Sequence, residues 1–355
     1  MDPITQAALG AVVGQACAGR RLGPGRAALW GAVAGTFPDV DSLIANVVSD
    51  DPLFRVQAHR GLTHSVFFAP VAGPLWGWAL WRWARWRASA AAPAPPCGPW
   101  LILMTCALLS HPLLDLCTHY GTQLLSPLTD RRFALPAISI IDPRYTLTLA
   151  LGLVLTAFVP HRHTQRIGAV ALLISTAYLL LGLKINFDAR AWARADLASK
   201  GIPASEVYAF PTLFQLPHRR LLARTPATDY VGFVTLSEPC AVDWQPQVRY
   251  DGPHAAELRA SEEGRIFEWF ASGLTTAYRE GDRVILADLR YGFTTDARQG
   301  NWVLESRISA AGGLTRPQYT RRPRPRPSSS NIAALWREAY PGSCSEFTGT
   351  LVLEH

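Results

Sequence analysis

No lysine precedes Lys184 in this chain of 355 residues, and charged residues make up only 17% of the whole. After Asn186 the balance reverses. Charges become frequent there, and no apolar run reaches the roughly 20 residues that a bilayer span requires. The six cysteines form no CxxC pair, which excludes a zinc ribbon. Cys17, Cys106 and Cys117 lie in apolar segments and read as small buried hydrophobes. The N-terminus lacks the basic start and cleavage site of a secretory signal, so membrane insertion falls to the apolar segments themselves. No internal repeat is visible. The net charge of +7 is mostly arginine. Membrane topology accounts for part of it, and no nucleic-acid partner is expected.

What is present, in the first half, is a series of apolar segments: residues 5–18, 27–48, 65–81, 100–118, 145–159 and 167–183. The first, second and fourth could be partly inserted or buried against neighbours, so about five or six helices are counted. The expected fold is an α-helical membrane bundle over residues 1–184, followed by a smaller α+β domain over 185–355. Strands are expected over 229–237, 282–293 and 301–309, a helix over 255–272, and a Pro/Arg-rich linker at 316–330. If all six segments cross, one side receives Arg20, Arg21, Arg26, Arg82, Arg85, Arg87, Arg162 and Arg166, with no acidic residue in those three loops. The positive-inside rule puts that side in the cytoplasm. Trp81, Trp83 and Trp86 beside it fit an aromatic belt. The C-terminal domain then lies outside the cytoplasm, where Cys240 and Cys344 either form a disulfide or stay as two thiols.

Histidines and aspartates interrupt this apolar sequence, and ionisable groups in such surroundings usually mark function. In SHPLLDLCTH, His111, Asp115 and His119 are spaced i, i+4, i+8 and share one face of a helix. In HRGLTHS, His59 and His64 flank a glycine, with Arg60 placed to hold a phosphate or carboxylate. In FPDVD, Asp39 and Asp41 follow a helix-breaking proline. All are side chains that bind divalent ions. The bland alternatives are a polar stripe packed inside a bundle, plain loop histidines and a headgroup anchor. Asp142, in SIIDPRYT, is a candidate extra ligand. His161, His163 and His218 read as loop or surface residues.

With these residues in place, the chain resembles the YdjM-like family of membrane-bound metal-dependent hydrolases. The matching pieces are MDPITQAALG, GTFPDVDSL, HRGLTHS, SHPLLDLCTHYGTQLLSP and SIIDPRYT, in the expected order over most of residues 1–184. The resemblance implies a multi-span inner-membrane protein with a metal centre at Asp39, Asp41, His59, His64, His111, Asp115 and His119. One position departs from the pattern: the family opening carries a histidine after the threonine, where this chain has Gln6. That glutamine could coordinate weakly, hydrogen-bond a bound water, or leave one site empty.

Three uses of such a centre are open. In the leading one, one or two divalent ions, zinc among the candidates, activate water for attack on an ester or phosphoester of a lipid or lipid-linked substrate. Asp39 or Asp41 would serve as ligand or general base, with Arg60 and Thr63 holding the substrate's anionic part. The alternatives are a divalent-ion transporter and a membrane scaffold with a structural metal and a partner-binding outer domain.

Overall fold

The first helix, α1 (Pro3–Leu22), begins where the Asp2 carboxylate accepts the Thr5 amide and Pro3 presets the backbone angle. It ends in Arg20 and Arg21, and Gly23, with φ 84°, turns the chain into α2 (Pro24–Thr36). These two helices pack through glycine. A Cβ added at Gly10, Gly14 or Gly31 would lie 2.2 Å from a carbonyl oxygen of the other helix. Small residues spaced four apart are how apolar helices close on one another without a large side-chain interface.

The computed structural model describes residues 1–322 apart from 91–92, 215 and 238, and beyond them only 333, 336, 337 and 340. It divides into two units, residues 1–50 with 57–182, and residues 51–56 with 183–355. After α2 a 3₁₀ turn over Phe37–Asp39 leads into α3 (Val40–Val48), followed by α4 (Pro52–Ala58). Next come α5 (Phe68–Trp86) and α6 (Cys97–Leu116). These again approach closely at glycines, Gly73 against Thr105 and Gly77 against Trp100 and Leu101. Then follow α7 (Pro143–Ala157) and the 36-residue α8 (Thr164–Ser199). A buried polar tie, Gln15 Nε2 to Thr156 Oγ1 at 2.9 Å, joins α1 to α7.

Among the described residues, two helices are long and apolar enough to cross a bilayer: α6 and the segment His161–Ser199 that contains α8. This corrects the expected five or six. The reasons are local. Pro38 ends the backbone ladder and breaks the segment expected over 27–48 between α2, 13 residues from Pro24, and the 9-residue α3. The 15 residues of α7 fall short of the roughly 20 required. Gln6, Gln15, Arg20 and Arg21 dilute α1, and Arg82 and Arg85 dilute the end of α5.

The second unit is α+β. Four strands, β1 (Glu206–Pro211), β2 (His218–Arg224), β3 (Thr228–Thr235) and β4 (Gln245–Val248), form one antiparallel sheet in sequence order. The last turns of α8 cover it, Ala189, Ala193 and Leu197 packing on Leu221, Ala223 and Val234. Two short helices follow, α9 (Pro253–Ala260) and α10 (Glu262–Phe270). The single helix expected over 255–272 divides at Ser261, whose side chain accepts the Gly264 amide and caps α10. A second antiparallel sheet holds β5 (Thr275–Glu280), β6 (Arg283–Asp288), β7 (Trp302–Arg307) and β8 (Gln318–Arg321). Part of the expected linker is therefore strand β8, and residues 323–330 lie outside the described residues. His218, expected at the surface, is buried in β2 and stacks on Phe233. Cys240 is disulfide-bonded, and Cys344, its expected partner, lies outside the described residues.

Candidate metal centre

Three elements of the first unit end at one point: the 3₁₀ turn after α2, the turn over Leu62–His64, and the last turns of α6. They bring Asp39, His64, His111 and Asp115 together. His64 Nε2 lies 3.0 Å from His111 Nε2 and 3.4 Å from both Asp39 Oδ1 and Asp115 Oδ2. His111 Nε2 lies 3.5 Å from Asp39 Oδ1 and 3.6 Å from Asp115 Oδ2. Four donors arranged tetrahedrally at zinc bond lengths are about 3.3 Å apart. Five of the six edges of this figure thus have the right length for such an ion.

The side chains are aimed by their outer atoms. His111 Nδ1 pairs with the Gly35 carbonyl at 2.6 Å, and His64 Nδ1 faces Asp41 Oδ2 at 3.2 Å and Thr63 Oγ1 at 3.1 Å. Each imidazole is held at Nδ1 and points Nε2 inward, as metal-binding histidines do. Asp115 Oδ1 accepts from the Met1 amine and from Gln6 Nε2. Its Oδ2 is buried without a hydrogen bond, although Arg60 Nε stands 3.0 Å away as an ion-pair partner. A buried carboxylate oxygen facing two imidazole nitrogens and a second carboxylate fits a cation.

Burial divides the donors. His64, His111 and Asp115 are fully buried, while Asp39 is 29% exposed and forms the open edge. Burial alone would lower the pKa of His64, but Asp115, Asp39 and Asp41 together raise it to about 10. A proton on His64 thus supplies positive charge among three carboxylates, the charge that a divalent ion would supply instead.

Asp41 plays a different part. Its Oδ1 meets His59 Nδ1 at 2.9 Å and Ser42 Oγ at 3.2 Å. Its Oδ2 accepts from the Arg60 amide at 2.9 Å and from Thr63 Oγ1 at 3.0 Å. Both oxygens are engaged, and together they fasten the loop from His59 to His64. Arg60 there has φ 61°, an unusual backbone state for a residue with a side chain. The Asp41 contact on its amide and the Gln123 amide on its carbonyl hold it in place. The Arg60 side chain turns inward, is 4% exposed, donates to Thr118 Oγ1 and lies over the Tyr120 ring.

The structure therefore brings six of the seven expected metal residues together. Asp39, Asp41 and His59 form a second, more open group that shares Asp39 with the first. His119 is in neither group. The helix that would have carried it round to the shared face ends at Leu116. Asp142 caps α7, accepting the Arg144 and Tyr145 amides and the Tyr178 hydroxyl. Gln6 holds Asp115. Sequence reasoning missed the Gly35 carbonyl, Ser42 and Thr118. A backbone acceptor leaves no trace in residue type, whereas Ser42 and Thr118 had only their position within the motifs to mark them.

The model of the YdjM inner membrane protein family matches residues 1–189. The match covers more than half of the chain, which belongs to this family of inner-membrane proteins. Searches of curated proteins and of solved structures return no match.

Proposed function

We propose that this YdjM-family protein is a metal-dependent hydrolase of the inner membrane, with its ion held by His64, His111 and Asp115 and its open side at Asp39. The observation that carries this reading is the tetrahedral spacing of four donors, three buried and one reachable from outside. Nitrogen and carboxylate donors at this spacing suit zinc first among the common ions. Such an ion, when bound, supplies a water of lowered pKa at the open position.

The chain's own residues do the rest. Asp39, at the open edge, takes the proton of the attacking water or completes the coordination shell. Arg60 holds Asp115 charged and oriented, a positioning role in place of the anion clamp expected from sequence. Thr63 serves the loop through Asp41. His59, tied to Asp41 through Nδ1, keeps Nε2 for a proton or a substrate oxygen.

Multi-pass insertion and an outward-facing site belong to the same proposal. One of the two helices long enough to cross, α6, carries His111 and Asp115 in its last turns and follows the segment with Arg82, Arg85 and Arg87. The positive-inside rule therefore assigns its start to the cytoplasmic side and the site to the outer side. A lipid or lipid-linked ester or phosphoester is supported by α3. Directly after Asp39 and Asp41 it exposes Leu43, Ile44, Val47 and Val48, the face of a helix lying in a membrane surface.

The test is metal analysis of the detergent-purified protein with assays on ester and phosphoester lipids. His64→Ala and His111→Ala should each lose metal and turnover while keeping the helical fold. A bound metal with no turnover on any of these lipids would mean a structural ion and end the hydrolase reading.

A further inference from the structure

A second feature of the first unit has no part in this chemistry. Between α7 and α8 runs an apolar groove of roughly 360 Å³, within the usual size range of ligand sites. Leu151, Leu155, Ile167, Val170 and Ile174 line it, with Arg166 at one end and Thr148 at the other. Arg166 to Ile174 is eight helical rises, about 12 Å at 1.5 Å per residue. Gly152 and Ala171 form the floor, where a Cβ on the glycine would meet the alanine Cβ at 2.6 Å. Two small residues bring the helices together, and larger neighbours stand up as walls. Those walls are open: Leu151, Leu155, Val170 and Ile174 are each about half exposed.

Among the residues that line the groove only Arg166 is charged, and it stands at one end. Gln165 Nε2 donates to the Cys17 carbonyl, and the Thr164 side chain lies against Gly19, so the end of α1 adjoins the start of α8. Arg20, Arg21, Arg162 and Arg166 are all exposed there, and residues 19–26 and 158–166 contain no carboxylate. The N-terminus of α8 adds its own positive dipole. Phe158, 82% exposed, ends α7 on the same side, where an aromatic ring suits the membrane interface.

We propose that this groove binds an anionic phospholipid, one acyl chain lying along it and the phosphate at Arg166. An elongated, half-open apolar channel fits a chain better than a compact ligand. Four arginines without a counter-charge among the described residues favour a net anionic headgroup over a zwitterionic one, whose own cation they would repel. The inference does not depend on the metal centre.

The experiment is native mass spectrometry of the full-length protein in mild detergent, with phosphatidylglycerol and phosphatidylcholine of identical chains added in competition. Phosphatidylglycerol should be retained about fivefold or more over phosphatidylcholine, and Arg166→Gln should lower that preference by about fivefold, the effect of one arginine near an anionic surface. Val170→Trp, which fills the groove at an exposed position, should abolish retention of both lipids. Leu151→Trp, in the opposite wall, should do the same and guards against a folding defect in the first variant. Circular dichroism and metal content should stay unchanged in all three. Equal retention of the two lipids would overturn the proposal. So would retention that survives both tryptophans, since it would place the lipid on the arginines alone and not in the groove.

Discussion

Each unit buries a histidine, and the surroundings are opposite. Around His64 stand three carboxylates, which overcome the cost of burial and raise its pKa to about 10. His218, in the second unit, is pushed down to about 3, first by burial and then by the charge of Arg219 beside it. The buried carboxylates differ in the same way. Asp288 is closed off by Arg290, which reaches both of its oxygens, and Asp229 pairs with Arg224 and Arg249. Asp115 shares its site with Asp39 and Asp41 and faces the imidazoles of His64 and His111. In the second unit each of these two carboxylates is met by arginines of its own, which is what a stable core requires. In the first, three carboxylates converge on two imidazoles, with Arg60 and the Met1 amine beside Asp115, and that convergence is what a cation site requires.

The largest test of this contrast is a matched pair of substitutions. Asp115→Asn should lower metal affinity by more than about 100-fold, a larger loss than that of groups which only orient a ligand. Asp288→Asn should leave metal content untouched yet cost the protein about 3–5 kcal/mol in chemical unfolding, because Arg290 is left buried without its partner. If Asp115→Asn changes unfolding but not metal content, the two units use their buried charge alike and the contrast fails.

Next in size is the pH response, and its sign differs between the units. A free histidine titrates near 6.5. The folded chain keeps the His64 proton up to about pH 10, so that stabilisation is full below 6.5 and is lost as pH rises through 10. For His218 the folded state refuses the proton down to about pH 3. Its stabilisation is full above 6.5 and is lost as pH falls toward 3. In chelator-treated protein, hydrogen exchange should report loosening of the first unit in alkali and of the second in acid. Added metal should flatten the alkaline limb, because the ion replaces the proton. An alkaline limb indifferent to metal would separate His64 from the centre.

Two smaller effects sharpen the comparison within the first unit. Gly31→Val places carbon where α1 and α2 already touch, and should destabilise by about 1–3 kcal/mol in thermal unfolding. The displaced Gly35 carbonyl should weaken metal binding as well. Gln6→Ala removes one donor to Asp115 while leaving every proposed ligand, and should weaken metal affinity about 10-fold in a competition titration. No change with Gln6→Ala would mean that Arg60 and the Met1 amine suffice to hold Asp115.

Much of this was readable in the residues, and the limits have physical causes. Asp39, His64, His111 and Asp115 stood out because ionisable groups are costly beside apolar runs. His119 stood out equally, since a spacing rule assumes that the helix continues, and where α6 stops depends on how residues 117–123 fold back. Arg60 read as a substrate clamp because sequence shows a charge but not which way its side chain turns. The α+β character of the second unit was visible in β3, β6 and β7. Strand β2 hid behind HRR, three charged or polar residues that the structure buries through partners supplied by distant parts of the chain. The helix count went astray at Pro38, where twenty-odd apolar residues promised one span and a single imino acid made two helices.

That break has a consequence in time as well as in space. Three of the four donors are sealed, so whatever enters or leaves the centre passes Asp39. This carboxylate stands on a 3₁₀ turn between α2 and α3, and it can swing without bending either helix. Residence time and occupancy then become separate quantities. An Asp39→Asn protein can be loaded to the same metal content and still surrender its ion to a chelator far sooner, so that the door and the vault of this site answer to different residues.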